Sequence, residues 1–407
     1  MGTAPVVADG PSPGRERTTG ILEVWAPDLY RGRDRAMRDA GSVTEPPVPA
    51  TTLLPLPAQS QGVPWPTDVW PEGAPAAGID LGPLLDVAFE PDGPLRDTYA
   101  VVVVQGGRLV AERYGGTLPQ WEGPGKPVVR DTPLLSWSVA KSMLHAVVGI
   151  LVGDGRLDPT RPAPVPLWQG EGDPRGSITL EHLLCMRDGL VFVEEYEDPE
   201  TSDVLQMLYG SGKADMARFA ADRPPAAPPG TRFNYSTGTS TIVSGVVARA
   251  VGPGDPYRRF LDGRLFGPLG MTTATAGFDD AGTWAAGSYV HASARDFARF
   301  GLLYLRDGVW EDRRILPEGW VDHARTPRSV DPDDGHLYGA HWWTRDEPLG
   351  TFWAAGHDGQ YVDVCPALDL VLVRMGRTGS DRSPRVRAWR DQVIAAVAEG
   401  LPTVGDA

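Results

Sequence analysis

Apolar positions divide the chain into a strand-rich start, a helix-rich middle and a strand-rich end. TYAVVVVQGGRLVAERYGG runs apolar on both sides of Gly106-Gly107, the turn chemistry of a hairpin, and predicts strands at about 98–104 and 108–114. SVAKSMLHAVVGILVGDGRLD carries apolar residues at helical spacing from Val139 to Leu151, before Gly153 and Gly155. It predicts a buried helix with Ser138 at its amino end. TLEHLLCMRDGL predicts a second helix, opened by Thr179 as N-cap and closed at Gly189. Helical patterns continue in SDVLQMLYG, ADMARFAAD, STIVSGVVARAVG, PYRRFLDGRLFGPLG and SARDFARFGLLYLRDG, the last with Ser293 and Asp296 at capping-box spacing. Strand character returns in TFWAAGHDGQYVDVCP and LDLVLVRMGR, and SPRVRAWRDQVIAAVAEGL predicts a last helix.

Strands at both ends around a helical middle predict an α+β fold, with one sheet built from both terminal portions and a helical insertion. The expected organisation is a proline-rich arm over 1–75, a sheet domain from 76–141 and 300–407, a mainly helical domain over 142–299, and a site between the two domains. The arm contains EPPVPATTLLPLPAQSQGVPWPTDVWPEGAPAAG, in which proline breaks both kinds of backbone ladder. Trp65 and Trp70 would be costly to leave in water, so the arm is expected to lie against the body.

Composition narrows the function. The 407 residues carry a formal net charge of −15, which repels phosphate backbones and anionic lipid surfaces, and no basic cluster reverses it locally. Neither nucleic acid nor a membrane is an expected partner. The first thirty residues hold no apolar core of a secretory signal and no eighteen-residue apolar run follows, so a cytoplasmic location is expected. Cys185 and Cys365 lie far apart in dissimilar surroundings and read as buried thiols. The seven histidines show no metal-ligand spacing, and there is no P-loop or complete GxGxxG, so no metal and no cofactor is expected. A formal G-x-S-x-G at Gly10–Gly14 lacks the strand and helix that such an elbow requires.

Among the 38 basic residues only Lys126, Lys141 and Lys213 are lysines, so a lysine in an apolar helix needs a reason. Ser138 and Lys141 are three residues apart, one helical turn, which puts both side chains on one face. A buried amine of lowered pKa can take a serine proton, and the helix amino end favours the oxyanion that results. The second candidate is Tyr235 in Phe233-Asn234-Tyr235-Ser236-Thr237-Gly238-Thr239-Ser240, whose phenol could serve that pair; it also fits a helix-start aromatic beside capping hydroxyls. The third is Gly356-His357-Asp358-Gly359-Gln360, where glycine opens the backbone to a substrate carbonyl and His357 can bond an acyl group; it also fits a polar turn. Trp342-Trp343 are candidates for a pocket wall or for core.

In this order the motifs resemble the serine beta-lactamase and penicillin-binding protein superfamily, with its SxxK, YxN or YxS, and KTG or HxG. LLSWSVAKS, EHLLCMRDGL, EEYEDPETSDV, FNYSTGTS, SARDFARFG, YGAHWW and GHDGQ look like segments of the class C-like esterase and 6-aminohexanoate-dimer hydrolase branch. The resemblance spans about 95–400 and implies a beta-lactamase/transpeptidase-like fold. It implies Ser138 as acylated nucleophile, Lys141 as its base and Tyr235 as proton shuttle to the leaving group, with Lys141 and Tyr235 both open as primary base. It further implies an oxyanion hole from the amides of Ser138 and Gln360, with Tyr196 on the substrate amide; His357, Gly359 and Trp342 are expected on the substrate from the residue reading above. The third-motif lysine is absent, Thr237 replaces the YxN asparagine, and Met207 stands where the dimer hydrolases carry an acidic residue. The expectation is therefore a serine hydrolase acting on a small ester or amide. Transfer of the acyl group to an amine or alcohol is the alternative, ahead of a beta-lactamase or DD-peptidase and of a non-catalytic binder on the same fold.

Overall fold

The computed structural model describes residues 47–75, 78–120 and 124–400. The Gly10–Gly14 motif and the first part of the arm lie outside them. The main sheet has eight strands: β1 Asp97–Gln105, β2 Arg108–Tyr114, β3 Ser329–Val330, β4 Leu337–Tyr338, β5 Trp343–Thr344, β6 Phe352–Gly356, β7 Gln360–Cys365 and β8 Leu370–Arg377. Their spatial order is β3-β4-β5-β6-β7-β8-β1-β2, every pair antiparallel. The first hairpin thus joins the last strand, and both ends of the chain build one sheet.

The helices are α1 Gly82–Ala88, α2 Val139–Gly153, α3 Leu180–Leu184, α4 Asp203–Tyr209, α5 Met216–Ala221, α6 Thr237–Val251, α7 Asp255–Leu261, α8 Ala294–Leu305, α9 Trp320–Arg325 and α10 Ser383–Glu399. Successive strand residues face opposite sides. Val101 and Val103 join Leu370, Leu372, Val386 and Trp389 in a core under α1 and α10. Ala100, Val102 and Val104 join Val371, Val373 and Phe300 in a larger core that continues through α2 and α6. With both faces covered, β1 has no polar side, which is why its sequence is a run of valines rather than an alternation.

Helix α2 lies between this sheet and α6. A Cβ on Gly149 would stand 2.2 Å from Trp320 Nε1, an indole whose N–H donates to His145 O at 3.0 Å. Glycine there lets α9 approach the helix that carries Ser138 and Lys141. The boundaries expected near 141 and 300 fall within α2 and α8.

Three elements differ from the sequence reading. Helix α3 stops at Leu184 instead of running to Gly189: Met186 adopts φ 57°, and the buried Asp188 accepts from Leu190 N at 2.7 Å and from the Thr239 hydroxyl at 2.5 Å. Helix α6 starts at Thr237, three residues before the expected Ser240, because Ser236 Oγ caps Thr239 N at 3.0 Å. The capping box expected at Ser293 is half formed: Ser293 Oγ takes Asp296 N, but the Asp296 carboxylate turns to Thr273 and Arg299.

The described part of the arm is extended and lies on the body. Trp65 sits 5.0 Å from Trp310 ring to ring and Trp70 is buried. Arginines hold its carbonyls, Arg299 at Pro66 O (2.8 Å) and Arg306 at Pro57 O (3.3 Å). Cys185 and Cys365 are buried free thiols. Among the described residues no helix is long and apolar enough to cross a membrane.

Candidate active site

Ser138 is the N-cap of α2. The preceding Trp137 has φ 45°, a conformation costly for a bulky side chain and held here by its surroundings. The chain then turns into the helix through Val139 N→Ser136 O, Ala140 N→Trp137 O and Lys141 N→Ser138 O, at 3.0–3.2 Å. This turn leaves Ser138 partly exposed at the floor of a cavity of about 230 Å³.

Lys141 lies one turn further, 1% exposed. Its Nζ is 2.8 Å from Ser138 Oγ, 2.9 Å from Thr237 Oγ1 and 2.9 Å from Gly287 O. Burial lowers its pKa to about 8, while the Glu194 charge works the other way. Thr237 is fixed in turn: its hydroxyl donates to Glu194 Oε1 (2.5 Å) and its amide to Glu194 Oε2 (2.8 Å). The hydroxyl hydrogen is thereby spent, and Thr237 Oγ1 faces Lys141 as an acceptor. A neutral amine has two hydrogens and one lone pair. Thr237 and Gly287 take the two hydrogens, and the lone pair is left for the Ser138 hydroxyl.

Tyr235 precedes the cap of α6 and lines the same cavity. Its ring centre is 4.9 Å from Lys141 Nζ, stacked on Trp343 at 5.5 Å and met edge-on by Tyr338 at 6.0 Å. Tyr196 donates its phenol to Glu194 Oε1 at 2.8 Å. Burial, and then that carboxylate, push the Tyr196 pKa well above the usual phenol range and keep it a donor. The His357 ring lies between Tyr196 (5.2 Å) and Trp137 (5.3 Å), and Gly359, with φ 80°, lines the wall beside it. Gly356 abuts the turn that presents Ser138: a Cβ there would stand 2.4 Å from Ser136 O.

The family description for beta-lactamase matches residues 94–396. The chain belongs to the beta-lactamase family. Its similarity to the 6-aminohexanoate-dimer hydrolase of Paenarthrobacter ureafaciens is 27% identity over 329 residues, covering 75% of this chain and 79% of that protein. A penicillin-binding protein from Bacillus halodurans has a similar fold, with TM-score 0.59 and 18% identity over 76% of this chain and 99% of that one. A family VIII carboxylesterase has TM-score 0.58 and 16% identity over 75% of this chain and 92% of that one.

Within this beta-lactamase-family fold, Ser138, Tyr235, Tyr196, His357 and Gly359 line one cavity, with Lys141 beneath Ser138. One other candidate lies elsewhere. Trp342 is fully buried among Phe300, Tyr304 and Phe352; its neighbour Trp343 is the one on the cavity wall. The side chain of Gln360 is buried, its carboxamide bonded to both backbone groups of Gly376 and to His357 O, while the part expected of this residue is that of its backbone N–H, next to Gly359 on the cavity wall. Met207, too, is in the core. The sequence reading missed Glu194, which ties Tyr196 to Thr237, and Asp358, whose carboxylate lies in the third motif itself. The signal for Glu194 was its place two residues before Tyr196, whose phenol it accepts. Among the described residues no three His, Cys, Asp or Glu side chains converge as a metal site.

Proposed function

We propose that this chain is a serine hydrolase that cleaves a small ester or amide through an acyl-enzyme on Ser138. The observation that carries the reading is the 2.8 Å contact between Lys141 Nζ and Ser138 Oγ, made by an amine whose pKa burial has lowered to about 8. Neutral Lys141 takes the hydroxyl proton as Ser138 Oγ bonds to the substrate carbonyl carbon. The oxyanion is held by backbone N–H groups, that of Ser138 at the start of α2 and one from the Gly356–Gln360 turn. The C–O or C–N bond then breaks, and the leaving group takes a proton by way of Tyr235. Water attacks the acyl-enzyme, releasing the acid and restoring Ser138. The names borne by two similar proteins, a 6-aminohexanoate-dimer hydrolase and a carboxylesterase, agree with this bond class.

The test is exposure of the protein and of Ser138→Ala to a panel of p-nitrophenyl esters, anilides and nitrocefin, with intact mass measured during turnover. The expected result is an acyl mass on Ser138 and no turnover in the variant. Full activity in Ser138→Ala would overturn the reading. Adding amines or alcohols to the same assay separates hydrolysis from acyl transfer, since transfer forms the new amide or ester faster than the free acid.

A further inference from the structure

Among the described residues the buried arginines are Arg299, Arg306, Arg325, Arg374 and Arg390. All but one meet a carboxylate: Arg299 pairs with Asp296, Arg306 with Asp369, Arg325 with Asp322 and Arg390 with Asp363. Arg374 does not. It has no exposed surface, and its guanidinium donates to neutral oxygens: Nη1 to Asp358 O (3.1 Å) and Gly359 O (2.9 Å), Nη2 to Leu95 O (3.2 Å), Thr98 Oγ1 (3.0 Å) and Thr378 Oγ1 (2.6 Å). Burial pulls its pKa down to about 10, so it is charged at neutral pH, and a charge taken out of water without a counter-charge is costly. Leu370 and Leu372 precede it on the same face of β8, where an apolar residue would continue the core at lower cost.

What the guanidinium holds is the turn of the third motif. Two consecutive residues there are left-handed, Asp358 at φ 61° and Gly359 at φ 80°, and the first is a strained setting for a residue with a side chain. The turn forms part of the cavity wall with Gly356 and His357, and Arg374 grips it from behind. The fit is close: a Cβ on Gly359 would stand 2.6 Å from Arg374 Nη1, and one on Gly376 would stand 2.5 Å from its Cζ. Both gripped carbonyls belong to trans peptides, in which the N–H of the same plane points the opposite way. With Gly359 O turned back to Arg374, the Gln360 N–H is turned forward, to the cavity side. The positive charge on the carbonyl side also polarises that peptide and makes its N–H a stronger donor.

We propose that Arg374 is a positioning residue for the oxyanion: from behind the wall it aims the Gln360 N–H at the oxygen that becomes negative when Ser138 attacks. It touches no substrate and acts through the peptide plane it holds. The inference rests on the acyl-enzyme reading and adds to it the device that keeps one of the two backbone donors in place. Thr378 belongs to the same support, since its amide donates to Asp358 O at 2.9 Å and its hydroxyl accepts from Arg374.

The test uses p-nitrophenyl butyrate as substrate and propylboronic acid as inhibitor, whose boron becomes tetrahedral and negatively charged on Ser138 Oγ, as the oxyanion intermediate does. Arg374→Met removes the grip; Arg374→Lys keeps the charge and can still donate to one carbonyl. In Arg374→Met kcat and kcat/KM should fall together, by about 10–100-fold, with KM within about twofold of the wild type. The inhibition constant of the boronate should rise by the same factor as kcat/KM falls, because both report the oxyanion. Arg374→Lys should recover part of both losses. A merely structural arginine would instead lower the melting temperature and leave the folded enzyme with wild-type kcat and boronate affinity. Should Arg374→Met not fold, Thr378→Val decides: it removes one acceptor of Nη2 and should give a smaller fall, about three- to tenfold, in the same two quantities. No change in either quantity in the variant that folds, or a loss confined to KM, overturns the proposal while the acyl-enzyme stands. Intact mass of the wild type is read alongside; if the ester leaves no acyl group on Ser138, the reaction reading fails and the proposal falls with it.

Discussion

Glu194 grips Thr237 twice, taking its amide on one carboxylate oxygen at 2.8 Å and its hydroxyl on the other at 2.5 Å. The grip sets the direction of the next bond, in which Thr237 Oγ1 accepts from Lys141. Replacing Thr237 with valine keeps the shape and removes both functions. Lys141 would then have only Gly287 O as a fixed acceptor, and its lone pair would no longer be confined to Ser138. The expected outcome is a fall in kcat/KM of about 10–100-fold, with a loss of about 1–3 kcal/mol of stability from the lost hydrogen bond to the carboxylate, whose Oε1 keeps the bond from Tyr196. Stopped-flow acylation with an activated ester measures the first, and denaturant unfolding the second. An unaltered acylation rate would remove Thr237 from the base.

The same carboxylate governs the pH profile. In the proposed mechanism Lys141 acts as the neutral amine, so kcat/KM should rise with pH and be half-maximal near its pKa of about 8. Burial lowers that pKa and the Glu194 charge raises it. In Glu194→Gln the raising influence is gone, so a larger fraction of Lys141 is neutral at a given pH and the acidic limb should move below pH 8. The plateau should also drop, because Gln cannot accept from both Thr237 groups as a carboxylate does. A limb that stays in place would assign the titration to a group other than Lys141.

What could be read from the sequence divides by distance along the chain. Ser138 and Lys141 are one helical turn apart, so local periodicity alone placed them together. The first hairpin was equally local, fixed by Gly106-Gly107. Glu194 escaped because its partner Thr237 is 43 residues away, and no local pattern marks that meeting. Trp342 was misplaced for another reason. It directly precedes β5, only two residues long, where the period of two cannot show which member of an aromatic pair faces the core. Helix α3 was overextended because Asp188, a buried carboxylate tied to Thr239 in α6, overrides the helical pattern of its own segment.

Gly356 tests how closely β6 must approach the turn that presents Ser138. Its φ of −130° is one that any residue adopts, so the requirement is for room and not for backbone freedom. An alanine Cβ would stand 2.4 Å from Ser136 O and 3.1 Å from Trp137 Cβ, pushing the third motif away from the turn that presents Ser138. Gly356→Ala should keep the far-ultraviolet circular dichroism of the fold while kcat/KM falls about 100-fold, the usual consequence of ångström-scale misplacement. Activity within about twofold of the wild type, with the fold intact, would show that the two segments need not touch.

Trp342 and Trp343 are adjacent, and the structure separates their roles. Trp342 packs on Phe300, Tyr304 and Phe352 with no exposed surface. Trp343 stacks on Tyr235 and faces the cavity. Trp342→Ala should therefore lose about 3–5 kcal/mol of stability by opening a hole in the core. What protein remains folded should keep a KM close to that of the wild type, since no substrate contact has been removed. Trp343→Ala should do the reverse: it removes the ring that holds Tyr235, so kcat/KM falls by about tenfold or more, with the smaller stability loss of a partly exposed site. Thermal unfolding and steady-state kinetics on the two variants decide the matter. If Trp342→Ala raised KM while Trp343→Ala left catalysis intact, the wall of the cavity would have to be redrawn through Trp342.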